Sequence, residues 1–161
     1  MGDKPRRTVI VELTLIVLLI ANATIQFVSI VWAEKFPVLF TSDAVRNWTR
    51  WLGVFGAVKG IILLTVAMVT LRDSWKGGID YRQKAKLVTT GIYRLSRNPG
   101  FLGFDLFFVG LFLQFPTLLT LIGGGLLIVL LHLQILEEEK YLAKSVGEVY
   151  WAYKKRTRRY F

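Results

Sequence analysis

Four long runs of apolar residues, separated by polar and charged stretches, dominate the hydrophobic pattern of the chain. They cover residues 8–32, 51–71, 101–115 and 117–136. A helix of about 20 apolar residues crosses a hydrocarbon core of about 30 Å, so three of these runs are long enough to span a bilayer, and the third is short for a full span. The pattern predicts one all-α integral membrane domain over residues 1–161, with about four transmembrane helices.

Pro116 alone separates the third run from the fourth. Because proline lacks a backbone N–H and cannot continue a helix, we expect the two runs to form a tight helical hairpin. The tail over residues 137–161 is charged, but apolar side chains recur in it at helical spacing. They are Leu142, Val146, Val149, Tyr150 and Tyr153. This spacing predicts a C-terminal amphipathic helix against the cytoplasmic leaflet.

The distribution of positive charge predicts the orientation. Excluding Lys59, which lies inside a run, seventeen Lys and Arg residues lie at the two termini and in residues 72–100, against three between the first two runs. Positive residues favour the cytoplasmic side, so both termini and residues 72–100 are expected to be cytoplasmic. The net charge of +10 then indicates an anionic membrane surface as partner rather than nucleic acid.

Composition excludes several kinds of chemistry. The chain has no cysteine and one histidine, which rules out disulfides, cysteine-based metal sites and thiol catalysis. His132 alone offers no metal site, because partners at ligand spacing are missing. The mean hydropathy of +0.47 agrees with a membrane protein.

Polar and ionisable residues inside the runs are candidates for function, because a charge in the hydrocarbon core is costly. They are Glu12, Asn22, Gln26, Lys59, Asp105 and His132. The two carboxylates lie near cytoplasmic ends, where they reach headgroup water, and the two amides are typical of hydrogen bonds between helices. Lys59 either pairs with these amides or belongs to an intramembrane relay, so a small transporter is one alternative.

The cytoplasmic loop before the third run carries features of a ligand site. Gly91, Gly100 and Gly103 allow close backbone approach, and Pro99 fits the first turn of a helix whose free N–H groups attract anions. Positive and aromatic side chains accompany them, namely Arg94, Arg97, Tyr93 and Phe101. The alternative interpretation is an ordinary basic loop beside the membrane.

Three consecutive carboxylates, Glu137–Glu139, follow the fourth run. If the helix ends there, they oppose its dipole and repel one another, so something cationic should compensate them. Basic residues of the loop or the tail would make a structural ion-pair network. A cationic ligand held between the acidic cluster and the loop is the functional alternative.

The order of these motifs resembles the isoprenylcysteine carboxyl methyltransferase and phospholipid methyltransferase superfamily. The motifs are Leu87-Val88-Thr-Thr-Gly91-Ile-Tyr93, Arg97-Asn98-Pro99-Gly-Phe101-Leu-Gly103, Glu138-Glu139-x-x-Leu142 and Val146-Gly147-Glu-x-Tyr150-x-x-Tyr153. They flank the predicted hairpin and together cover roughly the last 80 residues. The resemblance implies an integral membrane enzyme that transfers a methyl group from S-adenosylmethionine to a lipid or lipid-linked small acceptor.

The resemblance also assigns roles to residues. Contacts with the cofactor are implied for Lys86, Leu87, Val88, Tyr93, Asn98, Pro99, Gly100, Phe101, Gly103 and Glu138. As catalytic residues, Glu138 would pair with the cofactor's ammonium, and Arg97 or backbone N–H groups with its carboxylate. The substrate side would comprise Gln134, Glu139, Tyr150 and Tyr153.

Departures from the family pattern leave the acceptor open. Prenylcysteine enzymes typically carry histidine where this chain has Asn98 and arginine where it has Gln134. Asn-Pro resembles the phospholipid N-methyltransferase branch, whereas the tail motif resembles the carboxyl branch. A phospholipid amine and a prenylcysteine-like carboxylate are therefore both candidate acceptors. A non-catalytic scaffold that keeps the fold, and a relative of the nicotinamide-dependent sterol reductases, are the further alternatives.

Overall fold

The computed structural model describes residues 17, 20, 21, 24, 28, 38, 39, 42–71 and 87–160. In this part of the chain the elements are α1 (Asp43–Leu71), the 3₁₀ helix η1 (Gly91–Arg94), α2 (Pro99–Gln114), α3 (Leu118–Val146) and α4 (Glu148–Arg156). The described positions of the first apolar run, residues 17, 20, 21, 24 and 28, are helical as well. The all-helical fold is confirmed, while the number of spans stays a prediction.

Some expectations concern residues outside the described part of the chain. These are the polar positions Glu12, Asn22 and Gln26 of the first run, and Lys86, the first of the implied cofactor contacts. They stay predictions.

Helices α1 and α3 are each 29 residues long and apolar enough to cross a membrane, whereas α2 is a shorter apolar helix of 16 residues. Large apolar side chains on both long helices point outward, and Trp48 and Trp51 of α1 are 73% and 67% exposed. An apolar surface of this extent is unfavourable in water and suits contact with lipid. Helix α1 begins at Asp43, eight residues before the predicted run, so both indoles lie within it.

Glycines on both partners bring α1 and α2 together as antiparallel neighbours. A Cβ built on Gly60 would lie 2.6 Å from the backbone oxygen of Gly103, and one built on Gly53 would lie 2.5 Å from that of Gly110. These contacts leave no room for a side chain, which is how small residues let membrane helices approach closely. Gly103 therefore lies in a helix interface, whereas the sequence placed it at the cofactor.

Helices α2 and α3 form the expected hairpin about Pro116. Thr117 caps α3 reciprocally with Thr120, and Phe108 of α2 packs on Leu127 and Leu131 of α3. At the turn, the Leu39 N–H donates to the Pro116 carbonyl oxygen at 2.7 Å. The segment before α1 thus meets the hairpin turn at one end of the helices, and η1 lies at the other end.

The tail differs from its prediction. Helix α3 continues ten residues beyond Leu136 to Val146, so the three carboxylates lie inside a helix, and the predicted conflict with a helix C-terminus is wrong. Gly147 then breaks the chain direction with φ +68°, a conformation that favours glycine. The expected single amphipathic helix is therefore two helices, and the short α4 buries Tyr150 and Tyr153.

Candidate functional site

Residues 87–98 are the described part of the loop between α1 and α2. Gly91 opens η1 with φ +57° beside the side chain of Thr70 in α1, so glycine is required there by backbone conformation. Pro99 is the first residue of α2, as expected from the sequence, Asn98 is its N-cap, and both are buried. This part of the loop therefore contacts α1 at Thr70 and leads directly into α2.

The last residues of the chain close over this loop. We call residues 157–160 the tail strap. Ser96 and Arg158 form a parallel bridge, the Arg97 N–H donates to the Arg158 carbonyl at 2.9 Å, and the Ser96 hydroxyl donates to the Arg159 carbonyl at 3.0 Å. The Asn98 side chain donates to the same carbonyl at 3.4 Å and does not cap α2. The sequence did not predict this contact.

Glu139 is the centre of an ion-pair network beneath the tail strap. Its carboxylate is 5% exposed and lies 2.7 Å from Nη2 of Arg97, 2.9 Å from Nη2 of Arg159 and 3.5 Å from Nζ of Lys154. The Nε groups of both arginines also donate to Glu139 Oε1 at 3.1 Å. The structural network expected for the acidic cluster is thus present, and it joins the loop, α3, α4 and the strap.

Most of the N–H donors of the Arg97 side chain are engaged in hydrogen bonds within the protein. Besides Glu139, its Nη1 donates to the carbonyl oxygens of Lys154 and Thr157, and its side chain is 8% exposed. Four of its five N–H donors thus serve the protein itself. The implied contact of Arg97 with a cofactor carboxylate is not supported by this geometry, which instead gives Arg97 a positioning role.

Acidification should weaken the tail strap. Burial by itself raises the pKa of Glu139, but the hydrogen bonds and charges of Arg159 and Arg97 outweigh it and hold that pKa at about 2, against an ordinary 4.5. A lowered folded-state pKa stabilises the fold above the unfolded-state value, and this contribution is lost as the pH falls towards the folded-state value. The unfolding temperature in detergent should therefore drop between pH 4.5 and about 2, and Glu139→Gln should lack this part of the drop. Parallel pH curves for both proteins would contradict the network.

Three tyrosines line the space between loop and tail. The Tyr153 hydroxyl donates to the Tyr93 carbonyl oxygen at 2.6 Å, while the buried Tyr150 hydroxyl lies near Arg97 and Glu139 without a well-formed hydrogen bond within the described structure. Burial raises the pKa of Tyr150 to about 12, and the nearby charge of Glu139 is the second cause. Burial, with the charge of Glu138 second, raises the pKa of Tyr93 even more. Burial likewise raises the pKa of Tyr153 to about 12. These phenols are hydrogen-bond donors at physiological pH and not bases.

Glu138 precedes Glu139 on α3. Gln134, one turn earlier, donates to its Oε1 at 3.2 Å, and its negative charge acts electrostatically on the buried phenol of Tyr93. Adjacent carboxylates thus have different neighbours, because consecutive helical side chains point in different directions. Glu138 is hydrogen-bonded to Gln134, and Glu139 pairs with the basic residues.

The remaining residues implied by the resemblance lie in the loop and in the first turn of α2. Leu87, Val88, Gly100 and Phe101 are half-buried, and Phe101 packs against the core between α2 and α3. The ammonium of Lys59 lies 4.4 Å over the Phe55 ring on an exposed face of α1. Lys59 is therefore not brought to the loop.

A second polar cluster lies between α2, α3 and the tail strap. Nδ1 of His132 is 2.6 Å from the hydroxyl of Tyr160, and the carboxylate of Asp105 interacts electrostatically with both groups. Sequence reasoning treated Asp105 and His132 separately and did not consider Tyr160. Asp105 and His132 both lie towards the loop-side ends of their predicted runs. That shared position was the signal from which their proximity could have been predicted.

A comparison with protein families matches residues 51–144 to the isoprenylcysteine carboxyl methyltransferase (ICMT) family. The match covers more than half of the chain and includes α1 from Trp51 onward, the loop, α2 and the three glutamates of α3. The chain belongs to this family. The resemblance seen in the motifs is thereby confirmed, and ICMT membership makes the chain an integral membrane protein of the methyltransferase class. Comparisons with curated proteins and with solved structures give no match.

Proposed function

We propose that the chain transfers a methyl group from S-adenosylmethionine to a membrane-embedded or amphipathic small acceptor. The observation that carries this proposal is that Glu138, held by Gln134, acts electrostatically on the buried phenol of Tyr93 in the loop. Membership of the ICMT family, whose members generally use this cofactor and act on lipid-linked substrates, supports it. We propose the cytoplasmic orientation of both termini with it, from the distribution of positive charge.

The residues around Glu138 fit the cofactor's chemistry. A carboxylate held by Gln134 suits an ammonium group, and the ring of Phe101 supplies an aromatic face for a sulfonium. Leu87 and Val88, half-buried in the loop before η1, offer apolar surface. When bound, the cofactor supplies a methyl group on a cationic sulfur. The protein's part is to hold and orient it, since methyl transfer depends mainly on alignment.

The carboxylate of the cofactor needs a partner other than Arg97. Asn98 gives α2 no side-chain cap, so the backbone N–H groups of Gly100 and Phe101 at its first turn remain suited to an anion. Exposed Arg94, at the end of η1, adds a positive charge nearby. We propose these groups for the role that the family resemblance implies for Arg97.

Glu138→Gln should weaken binding of S-adenosylmethionine by about tenfold or more, because a charge-assisted hydrogen bond contributes about 1.5–3 kcal/mol. Calorimetric titration of the purified protein in detergent, with the cofactor and with its demethylated product, measures this. Glu137→Gln is the matched control, since Glu137 pairs with Lys140 on the same helix, and it should bind normally. Equal loss in both variants would argue against a site at Glu138.

Absence of binding to the wild-type protein, with and without added lipid, would contradict the methyltransferase proposal. It would favour a scaffold that retains the family fold. Saturable binding would justify a direct search for the acceptor among amphipathic amines and carboxylates, with the methyl group isotopically labelled.

A further inference from the structure

The cluster of Asp105, His132 and Tyr160 has no part in the cofactor site proposed above. Its members come from α2, α3 and the tail strap, so only the tertiary fold assembles it. The His132 and Tyr160 rings lie 6.1 Å apart, inclined by 25°, with a 2.6 Å contact between Nδ1 and the hydroxyl. This contact leaves Nε2 as the other ring nitrogen available for a ligand.

Asp105 has an unmet hydrogen-bonding requirement. Its Oδ1 is buried and has no hydrogen-bond partner among the residues that the structure describes. A buried carboxylate oxygen without a donor is costly, so a ligand that brings N–H donors and positive charge would stabilise it. An anionic ligand would be repelled.

The charges around the cluster favour a cation. Within the described residues, His132 acts electrostatically on Asp105, and Asp105, Arg159 and Glu139 act on Tyr160. Arg159 is held by both oxygens of Glu139. The carboxyl group of Asp105 therefore has no ion-pair partner among the described residues.

The position of the cluster relates it to the proposed cofactor site. Asp105 lies one helical turn after Phe101 on α2, a rise of about 6 Å along the axis. That turn leads from the cytoplasmic loop towards the apolar part of the hairpin. A ligand at Asp105 would therefore have its polar group beside the loop and its apolar part along the membrane helices.

We propose that this cluster binds the amino group of an amphipathic amine and accepts its proton, so that the methyl acceptor is an amine and not a carboxylate. The inference rests on the proposed function for the methyl transfer, but the binding site can be tested without it. Asp105 holds the ammonium, and His132 takes the proton.

The proton step is balanced within the cluster. One N–H bond of the ammonium breaks, its electron pair stays on nitrogen as the lone pair that a methyl acceptor requires, and the proton bonds to Nε2 of His132. The step uses the tautomer in which Nδ1–H donates to the Tyr160 hydroxyl oxygen, because that tautomer leaves Nε2 free to accept a proton. The carboxylate of Asp105 stabilises the resulting imidazolium. Asp105 and His132 touch the amine, and Tyr160 is a positioning residue.

The chain's single histidine makes the test direct. Protein labelled with ¹⁵N-histidine gives the signals of one imidazole, which report its tautomer and any ligand beside it. In detergent, without cofactor, dodecylamine should shift these signals saturably, and dodecanoate should not. At neutral pH the free protein should show the Nδ1–H tautomer, and Tyr160→Phe should reduce its population. An Nε2–H tautomer in the wild type, or equal responses to both probes, would overturn the proposal.

Variants separate binding from structure. Asp105→Asn should weaken the dodecylamine response by about tenfold. Glu137→Gln removes a carboxylate from a different helix, α3, and should leave the response unchanged. If Asp105→Asn does not fold, the contrast between amine and carboxylate in the wild type still decides. An unchanged response in a folded Asp105→Asn protein would contradict the site.

The two proposals fail differently. If S-adenosylmethionine binds and dodecylamine does not shift the imidazole, the amine site is wrong and the methyltransferase proposal stands. If dodecylamine binds selectively and the cofactor does not, the amine site stands and the proposed function is wrong. Binding of both, followed by methylation of dodecylamine that is lost in His132→Gln, supports both.

Discussion

Replacing Glu139 with alanine should destabilise the end of the protein where the loop and the tail strap meet more than any other single change in the acidic cluster. The substitution leaves Arg97 buried beside Arg159 and Lys154 with no carboxylate between them. Removing one partner of a buried ion pair costs about 3–5 kcal/mol, because the remaining charge is uncompensated. The free energy of unfolding should fall by that amount, measured in detergent by tryptophan fluorescence.

The matched change is Glu137→Ala on the same helix. Glu137 pairs with Lys140, whose side chain is 69% exposed, and an exposed pair contributes at most about 1 kcal/mol. Glu139→Ala should also release the tail strap, so limited proteolysis should remove the last residues from this variant first. Equal losses of stability in the two variants would show that the network around Glu139 does not hold the fold together.

Gly60→Ala should separate α1 from α2. The added methyl carbon would lie 2.6 Å from the Gly103 oxygen and 2.7 Å from the Phe107 nitrogen. Both contacts are backbone atoms, so the helices must move apart, which for overpacking costs about 1–3 kcal/mol. Since α1 also positions Gly91 through Thr70, binding of S-adenosylmethionine should weaken together with thermal stability.

Gly56→Ala provides a matched control one turn earlier on the same helix. A Cβ at Gly56 would come no closer than 3.6 Å to the Gly110 Cα, which is ordinary contact. Alanine is also the better helix former by about 1 kcal/mol, so this variant should be as stable as the wild type or slightly more stable. A Gly56→Ala protein as unstable as Gly60→Ala would refute the proposed difference between the two glycines.

The glycines show which contacts could not be predicted from the sequence. The Gly56-x-x-x-Gly60 spacing is typical of close helix packing, and Gly60 is indeed packed against α2. The pattern did not identify its partner, because Gly103 lies in a motif that also suggested a ligand. Which glycine faces a helix and which faces a ligand depends on the rotation of each helix, and rotation is set by packing.

The partners of the acidic cluster likewise could not be predicted from the sequence. Three adjacent carboxylates indicated either an ion-pair network or a ligand site, and the structure has Glu139 in a network and Glu138 hydrogen-bonded to Gln134. The different neighbours of Glu138 and Glu139 follow from the length of α3. Because the helix continues past Leu136, its successive side chains point in different directions. The local sequence contained the charges but not their partners.

By itself, the sequence determined the all-helical membrane class, the hairpin about Pro116 and the family, because apolar run length, a missing N–H and motif order are local properties of the chain. The tertiary structure alone decided which residues meet: Arg97 with Glu139, the tail strap with the loop, and Asp105 with His132 and Tyr160. These contacts join residues far apart in the chain, 28 positions for His132 and Tyr160 and 63 for Ser96 and Arg159. Their geometry follows from how glycine contacts and side-chain packing set the helices against one another.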